Sequence, residues 1–370
     1  MPTSRLYQLT EHGQSVWIDY LSRDLLRSGT LRRMIDQDAV VGVTSNPTIF
    51  QRALADLGAY DGQLAELAAE QSPKERFVQL AARDVTEACE LLFPVWERTA
   101  GRDGWVSIEV DPRLAYDAPA TIEEAERLHR LIDRPNLFVK IAATEAGLVA
   151  IEEMIARGRS INVTLIFSLQ RYAEVVESYL RGLERLIDAG GDPSSVWSVA
   201  SFFVSRVDTE TDKRLDELGG SDELKGKLAI ANAKLAYRHY RQIVSGEQWA
   251  ALAARGAHAQ RCLWASTSVK NPVYRDTLYV EELIGPETIS TMPEETIRAF
   301  QDHGRVAATL DRDVDTAELL LRQLAAAGVD YDDVVATLES EGIAKFVDSF
   351  EELLQRLEAR VPTGSVAVRT

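Results

Sequence analysis

The sequence predicts a closed (β/α)8 barrel with additional helices, on three observations. Eight short β-rich runs recur along 370 residues, longer amphipathic or capped segments separate them, and several runs sort polar and apolar residues by parity. Alternating strand and helix signals imply parallel strands joined by crossover helices, and eight such units favour closure over an open sheet. Residues 1–370 are therefore expected to form one barrel domain.

In chain order the candidate strands are 16–20 (VWIDY), 40–45 (VVGVTS), 106–110 (VSIEV), 137–142 (LFVKIA), 161–167 (INVTLIF), 198–204 (SVASFFV), 262–267 (CLWAST) and 288–292 (TISTM). Between the second and third, 51–103 exceeds a minimal crossover and predicts a helical insertion. Thr121 with Glu124 reads as a capping box opening a helix that runs through Ile132, and Gly158 as the terminator of the helix that follows Lys140. Leu224, Leu228, Ala231 and Leu235 mark the apolar face of a helix near 222–245. A long loop spans 268–287, and helical patterning covers 313–360, where extra helices either pack on the barrel or cover one mouth; the last ten residues, VPTGSVAVRT, read as a loose tail.

Composition narrows the function. A formal charge of -17 without a Lys/Arg run opposes nucleic-acid binding. Only Cys89 and Cys262 occur, both in core-like segments, which fits a reducing compartment rather than a disulfide framework. No apolar leader opens the chain and no run has membrane-spanning length, so a soluble cytoplasmic protein is expected. The histidines at 12, 129, 239, 258 and 303 form no ligand spacing, and no metal is expected.

Side chains alternate across a strand, so one parity of each run faces the lumen. Ser107 and Glu109 oppose Val106, Ile108 and Val110; Lys140 opposes Val139 and Ile141; Asn162 and Thr164 share a parity; Asp19 opposes Ile18; Ser201 and Phe203 oppose Phe202; and Ser266 opposes Ala265. Barrel interiors are mostly filled by branched apolar side chains, and burying an amine with carboxylates is costly unless the groups are paired. A lysine among apolar neighbours can supply neutral amine to attack a ketone, and the resulting iminium is an electron sink for carbon-carbon cleavage. A carboxylate must take the hydroxyl proton, and water must enter and leave as the imine forms and breaks; Asp19 and Glu109 could divide these tasks or act only as counter-ions to Lys140.

The ordered set GVTSNPTIF (42–50), VSIEVDPRLAYD (106–117), FVKIAATEAG (138–147), INVTLIFS (161–168) and ASFFVSRVD (200–208) resembles the transaldolase family from about Val16 to about Met292. The resemblance implies transfer of a dihydroxyacetone unit between sugar phosphates through a Schiff base, a step of the non-oxidative pentose phosphate pathway that needs no organic cofactor. It implies that Lys140 forms the imine, that Asp19 is the acid/base, and that Glu109 and Thr164 hold the catalytic water. Asn46 and Asn162 would bind the ketose with Ser201 and Ser266 beside them, although Asn46 also suits a turn cap before Pro47 and the two serines suit small core positions. Arg206 is the preferred phosphate anchor. Lys270 stands where the family carries a second basic residue, but the stretch ASTSVKN departs from the shorter family pattern, and Lys270 also reads as a solvated loop charge.

Fructose 6-phosphate aldolase is the nearest rival. The resemblance suggests that those enzymes carry glutamine in place of Glu109 and tyrosine in place of Phe203. A non-catalytic sugar-phosphate-binding barrel is a second rival, opposed by the intact Lys140, Glu109 and Asp19 set. The oligomeric state, monomer or homodimer, is left open.

Overall fold

The computed structural model describes residues 4–55, 57–67 and 71–359. Its strands are β1 (Gln14–Ile18), β2 (Val40–Val43), β3 (Trp105–Glu109), β4 (Leu137–Ala142), β5 (Ile161–Ile166), β6 (Ser198–Phe203), β7 (Arg261–Ala265) and β8 (Thr288–Met292). They close in sequence order into an all-parallel barrel, β8 pairing with β1. This is the (β/α)8 architecture that the eight runs predict. Most strand limits shift by a residue or so, but β1 ends at Ile18, which leaves Asp19 just beyond the sheet.

Paired residues in a parallel sheet point to the same face, so the register identifies the lumen. Glu109 pairs with Lys140, Lys140 with Asn162 and Ala142 with Thr164. One inferred parity is reversed: Ser201 pairs with Leu263 and Phe203 with Ala265, so Arg261, Leu263 and Ala265 of β7 face inward. Cys262 instead points to the helical layer, its Sγ 3.3 Å from the Tyr172 hydroxyl, and both cysteines are free and buried.

Large rings fill the lower lumen. Trp105 stacks on Phe138 with centroids 4.1 Å apart, and Trp17 lies 6.2 Å from Phe138. Gly42 makes room for them, since a Cβ there would sit 2.5 Å from the Trp17 ring. Rings thus fill the lumen below Lys140, and the cavity that the lysine lines lies towards the carboxyl ends of the strands, where barrel chemistry is built.

The helices correct two readings. The helix after β3 is Ala118–Ile132, capped by Asp117, whose side chain accepts from the Ala120 amide at 3.0 Å. Thr121 therefore lies inside it and bonds back to the Leu114 carbonyl, so no capping box forms. Leu224 belongs to a separate 3-10 turn, Asp222–Leu224, and the following helix begins only at Leu228 and runs to Val244. Gly158 does follow the end of Glu145–Ala156 in a left-handed conformation, φ 77°.

The segment after β2 contains the helices Pro47–Ala53, Asp61–Glu66 and Pro73–Arg98. At the C-terminal end, Val314–Ala326 packs on Leu228–Val244, and Gly328, φ 91°, separates it from the long helix Tyr331–Ala359. That last helix runs over the mouth. It touches Pro47–Ala53, Pro73–Arg98, Ser205–Glu217 and β5, and is tied down by a Thr48–Ser349 hydroxyl contact of 2.9 Å and a Phe77–Phe350 edge contact of 5.3 Å. The tail VPTGSVAVRT lies outside the described residues. Among those residues no helix is long and apolar enough to cross a membrane.

Candidate active site

Lys140 stands on β4 with its Nζ 3.1 Å from the Ser45 carbonyl oxygen, to which it donates, and 3.3 Å from Glu109 Oε2. Both side chains are only 5% exposed. The ion pair is close but poorly directed, and Glu109 Oε2 is left without a hydrogen-bond partner in the protein. Thr164 Oγ1, one register step along on β5, is likewise buried and unpartnered. Burial pushes the Glu109 carboxyl above the usual carboxylate range, with Lys140 opposing and Asp19 adding to the rise. A small void beside Glu109, bounded by Ala142, Leu165 and Phe346, has room for about one water.

Asp19 reaches the cavity that Lys140 lines from just past β1. Its amide donates to the Met292 carbonyl at 2.8 Å, and its Oδ1 accepts from Thr44 Oγ1 at 2.7 Å. Thr44 also lies 2.7 Å from Thr291 Oγ1, which fixes the carboxylate across β1, β2 and β8. Burial raises the Asp19 carboxyl, opposed chiefly by Lys140 and the Thr44 hydrogen bond. Sequence reasoning missed Thr44 and Ser45, although both lie within the GVTSNPTIF motif; Ser45 acts through its carbonyl, which no residue type announces.

The floor is a hydrogen-bonded chain across three strands. Asn162 Nδ2 donates to Ser107 Oγ at 3.0 Å, and its Oδ1 accepts from Ser201 Oγ at 2.7 Å. Asn162 is fully buried beneath the cavity, whereas Ser201 and Phe203 line it. Asn46 lines it too and also caps the next helix, accepting from the Ile49 amide at 2.9 Å. The turn-cap reading is therefore met, by a side chain that also borders the cavity.

Two residues beside the polar lumen positions adopt left-handed backbone that bulky residues rarely take. Leu165, φ 60°, sits where the β5–β6 register shifts. Ser266, φ 56°, leaves the strand alternation altogether, and this turn brings it to the cavity beside Ala265, with its Oγ 2.9 Å from Ser205 Oγ. The inward placement expected of Ser266 is met by a turn rather than by strand parity.

The cavity is about 180 Å³ and is basic at its outer rim. Arg206, in the first turn of Ser205–Glu217, places its guanidinium 5.4 Å from the Phe203 ring centroid and 6.0 Å from that of Phe346. Burial lowers it from the ordinary arginine value, while Asp19 and Glu341 support its charge. Lys270 lines the same rim and donates to Ser268. Arg52 and Lys345 join them, and neither was singled out from sequence. Among the described residues, no cluster of three or more His, Cys, Asp or Glu could hold a metal.

The arrangement offers an amine, a carboxylate facing the cavity, a second carboxylate beside a water-sized void, and a cationic rim. A sequence model described as Transaldolase/Fructose-6-phosphate aldolase matches residues 16–357. Curated relatives named transaldolase include those of Mycobacterium tuberculosis strain H37Rv, 51% identical over 97% of this chain and 98% of the relative, and of Mycobacterium leprae strain TN, 52% identical over 96% of each.

Proposed function

We propose, from the premise that the chain belongs to the transaldolase/fructose-6-phosphate aldolase family, that it is a transaldolase moving a dihydroxyacetone unit between sugar phosphates through an imine on Lys140. The observation that carries this reading is the pairing of Lys140 with Glu109 at 3.3 Å, with the lysine opening into a cavity that Asp19 also lines. Glu109, 3.3 Å from the amine and with its affinity for a proton raised by burial, accepts one from the lysine, leaving the amine lone pair free to attack the C2 carbonyl of a ketose phosphate, and returns it to the carbinolamine hydroxyl. The carbinolamine loses water to give the iminium, with Glu109 and Thr164 handling that water through their unpartnered oxygens.

Asp19 then takes the proton of the C4 hydroxyl. The C3–C4 bond breaks, its electron pair moves into the iminium, and an aldose phosphate departs. The three-carbon unit stays on Lys140 as an enamine until a second aldose phosphate arrives, and the steps reverse. Asn46 and Ser201 suit the hydroxyls of the bound ketose, Asn162 orients Ser201 from below, and Arg206 suits the terminal phosphate with Ser266 and Lys270 beside it.

Phe203 favours transfer over release. It packs against Phe167 with centroids 5.1 Å apart and has no hydroxyl with which to protonate the three-carbon intermediate. The substrates are taken as sedoheptulose 7-phosphate or fructose 6-phosphate with glyceraldehyde 3-phosphate or erythrose 4-phosphate, in a cytoplasmic setting. Mixing the protein with fructose 6-phosphate and erythrose 4-phosphate should yield sedoheptulose 7-phosphate and glyceraldehyde 3-phosphate. Free dihydroxyacetone without the seven-carbon sugar would favour the aldolase, and neither product with a silent borohydride trap would leave only a binding barrel.

A further inference from the structure

We propose that Lys345 and Arg52 are phosphate-recognition residues that complete the anchor begun by Arg206 and Lys270, so that the helix Tyr331–Ala359 takes part in choosing phosphorylated over unphosphorylated sugars. The inference deepens the transaldolase reading and rests on it for the identity of the substrate.

Four cations besides Lys140 line one cavity in a chain whose formal charge is -17. Elsewhere most arginines and lysines have carboxylate partners: Arg159 pairs with Glu126 at 2.6 Å, Arg185 with Glu153 at 2.6 Å and Arg134 with Glu90 at 2.6 Å. Arg52, Arg206, Lys270 and Lys345 have no carboxylate within ion-pair distance among the described residues, although Glu295 also lines the cavity. Burial lowers both lysines most, and mutual repulsion adds to it: Arg206 and Arg52 act to lower Lys345, and Arg206, Lys345 and Arg52 act to lower Lys270 against the support of Glu295. A set of unpaired like charges facing one space is stabilised when an anion enters that space. A sugar phosphate carries between one and two negative charges at neutral pH and three acceptor oxygens, more than one guanidinium can engage.

Lys345 reaches the rim only because its helix runs over the mouth. Gly342, one turn earlier, lies close against Leu165 and Phe167, where a Cβ would sit 3.2 Å from Leu165 Cδ2. Phe346, the next residue, is 2% exposed and bounds both the cavity and the void beside Glu109. The helix is thus seated on the barrel before substrate arrives, and the lysine is the part left free to engage it. Arg52 is carried by the neighbouring helix, Pro47–Ala53, which Asn46 caps and which is joined to the C-terminal one by the Thr48–Ser349 contact.

The test compares Lys345→Gln, Arg52→Gln and Lys345→Arg with the parent, all full length. For each Gln variant the ratio of kcat/KM for fructose 6-phosphate over fructose should fall about tenfold or more, mainly through KM. The constant for competitive inhibition by inorganic phosphate should rise in parallel, and Lys345→Arg should retain most of the discrimination. An equal loss on both sugars would reduce the residues to structural supports, and unchanged KM with unchanged phosphate inhibition would make them solvated bystanders; either outcome overturns the proposal. Inhibition by inorganic phosphate requires no imine. Should borohydride fail to trap the parent on Lys140, the transaldolase reading falls, while a phosphate-binding defect in the variants would still be measured.

Discussion

Two buried ion pairs occupy opposite ends of the barrel lumen, and they are built differently. At the amino-terminal end Arg261 lies 3.4 Å from Asp103 and donates to the Arg102 carbonyl at 3.0 Å, the Thr288 carbonyl at 2.9 Å and Ser15 Oγ at 2.6 Å. Asp103 accepts in turn from Ser15 at 2.9 Å and from the Trp17 indole at 3.4 Å. At the carboxyl end Lys140 has one carbonyl acceptor and one misdirected carboxylate, with Glu109 Oε2 and Thr164 Oγ1 unpartnered nearby. Buried charge that only holds strands together gains by filling most of its hydrogen bonds, as Arg261 does with its Nε alone left unpartnered. Charge kept for reaction must leave atoms for the substrate to complete, at a cost in stability.

Replacing each cation separates the two roles. Lys140→Met should lower turnover at least about ten-thousandfold, as loss of a covalent nucleophile does. Its melting temperature should fall less than that of Arg261→Met, because Lys140 donates to a single carbonyl and burial raises the affinity of Glu109 for a proton, which eases its neutralisation once the amine is gone. A coupled product assay with thermal melts reads both, and substantial turnover by this variant would remove the imine from the mechanism. Arg261→Met should do the opposite, costing roughly 3–5 kcal/mol of unfolding free energy by stranding Asp103, with turnover per folded molecule nearly unchanged. Denaturant titration measures the loss; a fully stable variant would mean that the hydrogen-bonded pair does not hold the barrel base.

Thr164→Val sharpens the contrast at one atom. The hydroxyl has no partner in the protein, so its removal should leave stability level or slightly raised while slowing imine formation and hydrolysis roughly ten- to a hundredfold. Stopped-flow borohydride trapping would show the slowed step, and a normal trapping rate would exclude Thr164 from water handling.

The smallest effect is expected at Asp208, which lies near the mouth yet is bonded like the base. Its oxygens accept from the Ala229 amide at 2.7 Å and the Tyr279 hydroxyl at 3.0 Å, helping to pin the segment after β7. Burial raises this carboxyl from 3.8 to about 7, with Asp212 adding to the rise. The folded state therefore holds more protons than the unfolded one between those values, and this group makes stability fall as pH climbs through that window. Asp208→Asn should flatten that part of the melting profile, since the Tyr279 hydroxyl can accept from the new amide. A profile as steep as the parent's would assign the slope to other groups.

Much of this could be read locally. Strand alternation exposed Ser107, Glu109, Lys140, Asn162 and Thr164 as one inward set, because a side chain's face within a strand depends only on parity. Asn46 before Pro47 was legible as a cap for the same reason, its partner lying three residues away. Asp19 and Ser266 were found by type and alternation, but their positions depend on where each strand stops, and β1 and β7 stop before them. Thr121 and Glu124 satisfied a local motif that Asp117 pre-empted one turn earlier.

By itself, then, the sequence determined the eight-strand alternation, the lumen set centred on Lys140 and the absence of a basic run that would suit nucleic acid. Tertiary structure alone decided that Arg52 and Lys345 meet Arg206 and Lys270, that Asn162 lies under the cavity rather than in it, and that Arg261 finds Asp103 beneath the indoles. The reason is range. Periodicity and capping act over a few residues and are written in them, whereas barrel closure and the seating of a helix about 200 residues downstream of the lysine bring together groups whose spacing in the chain carries no signal.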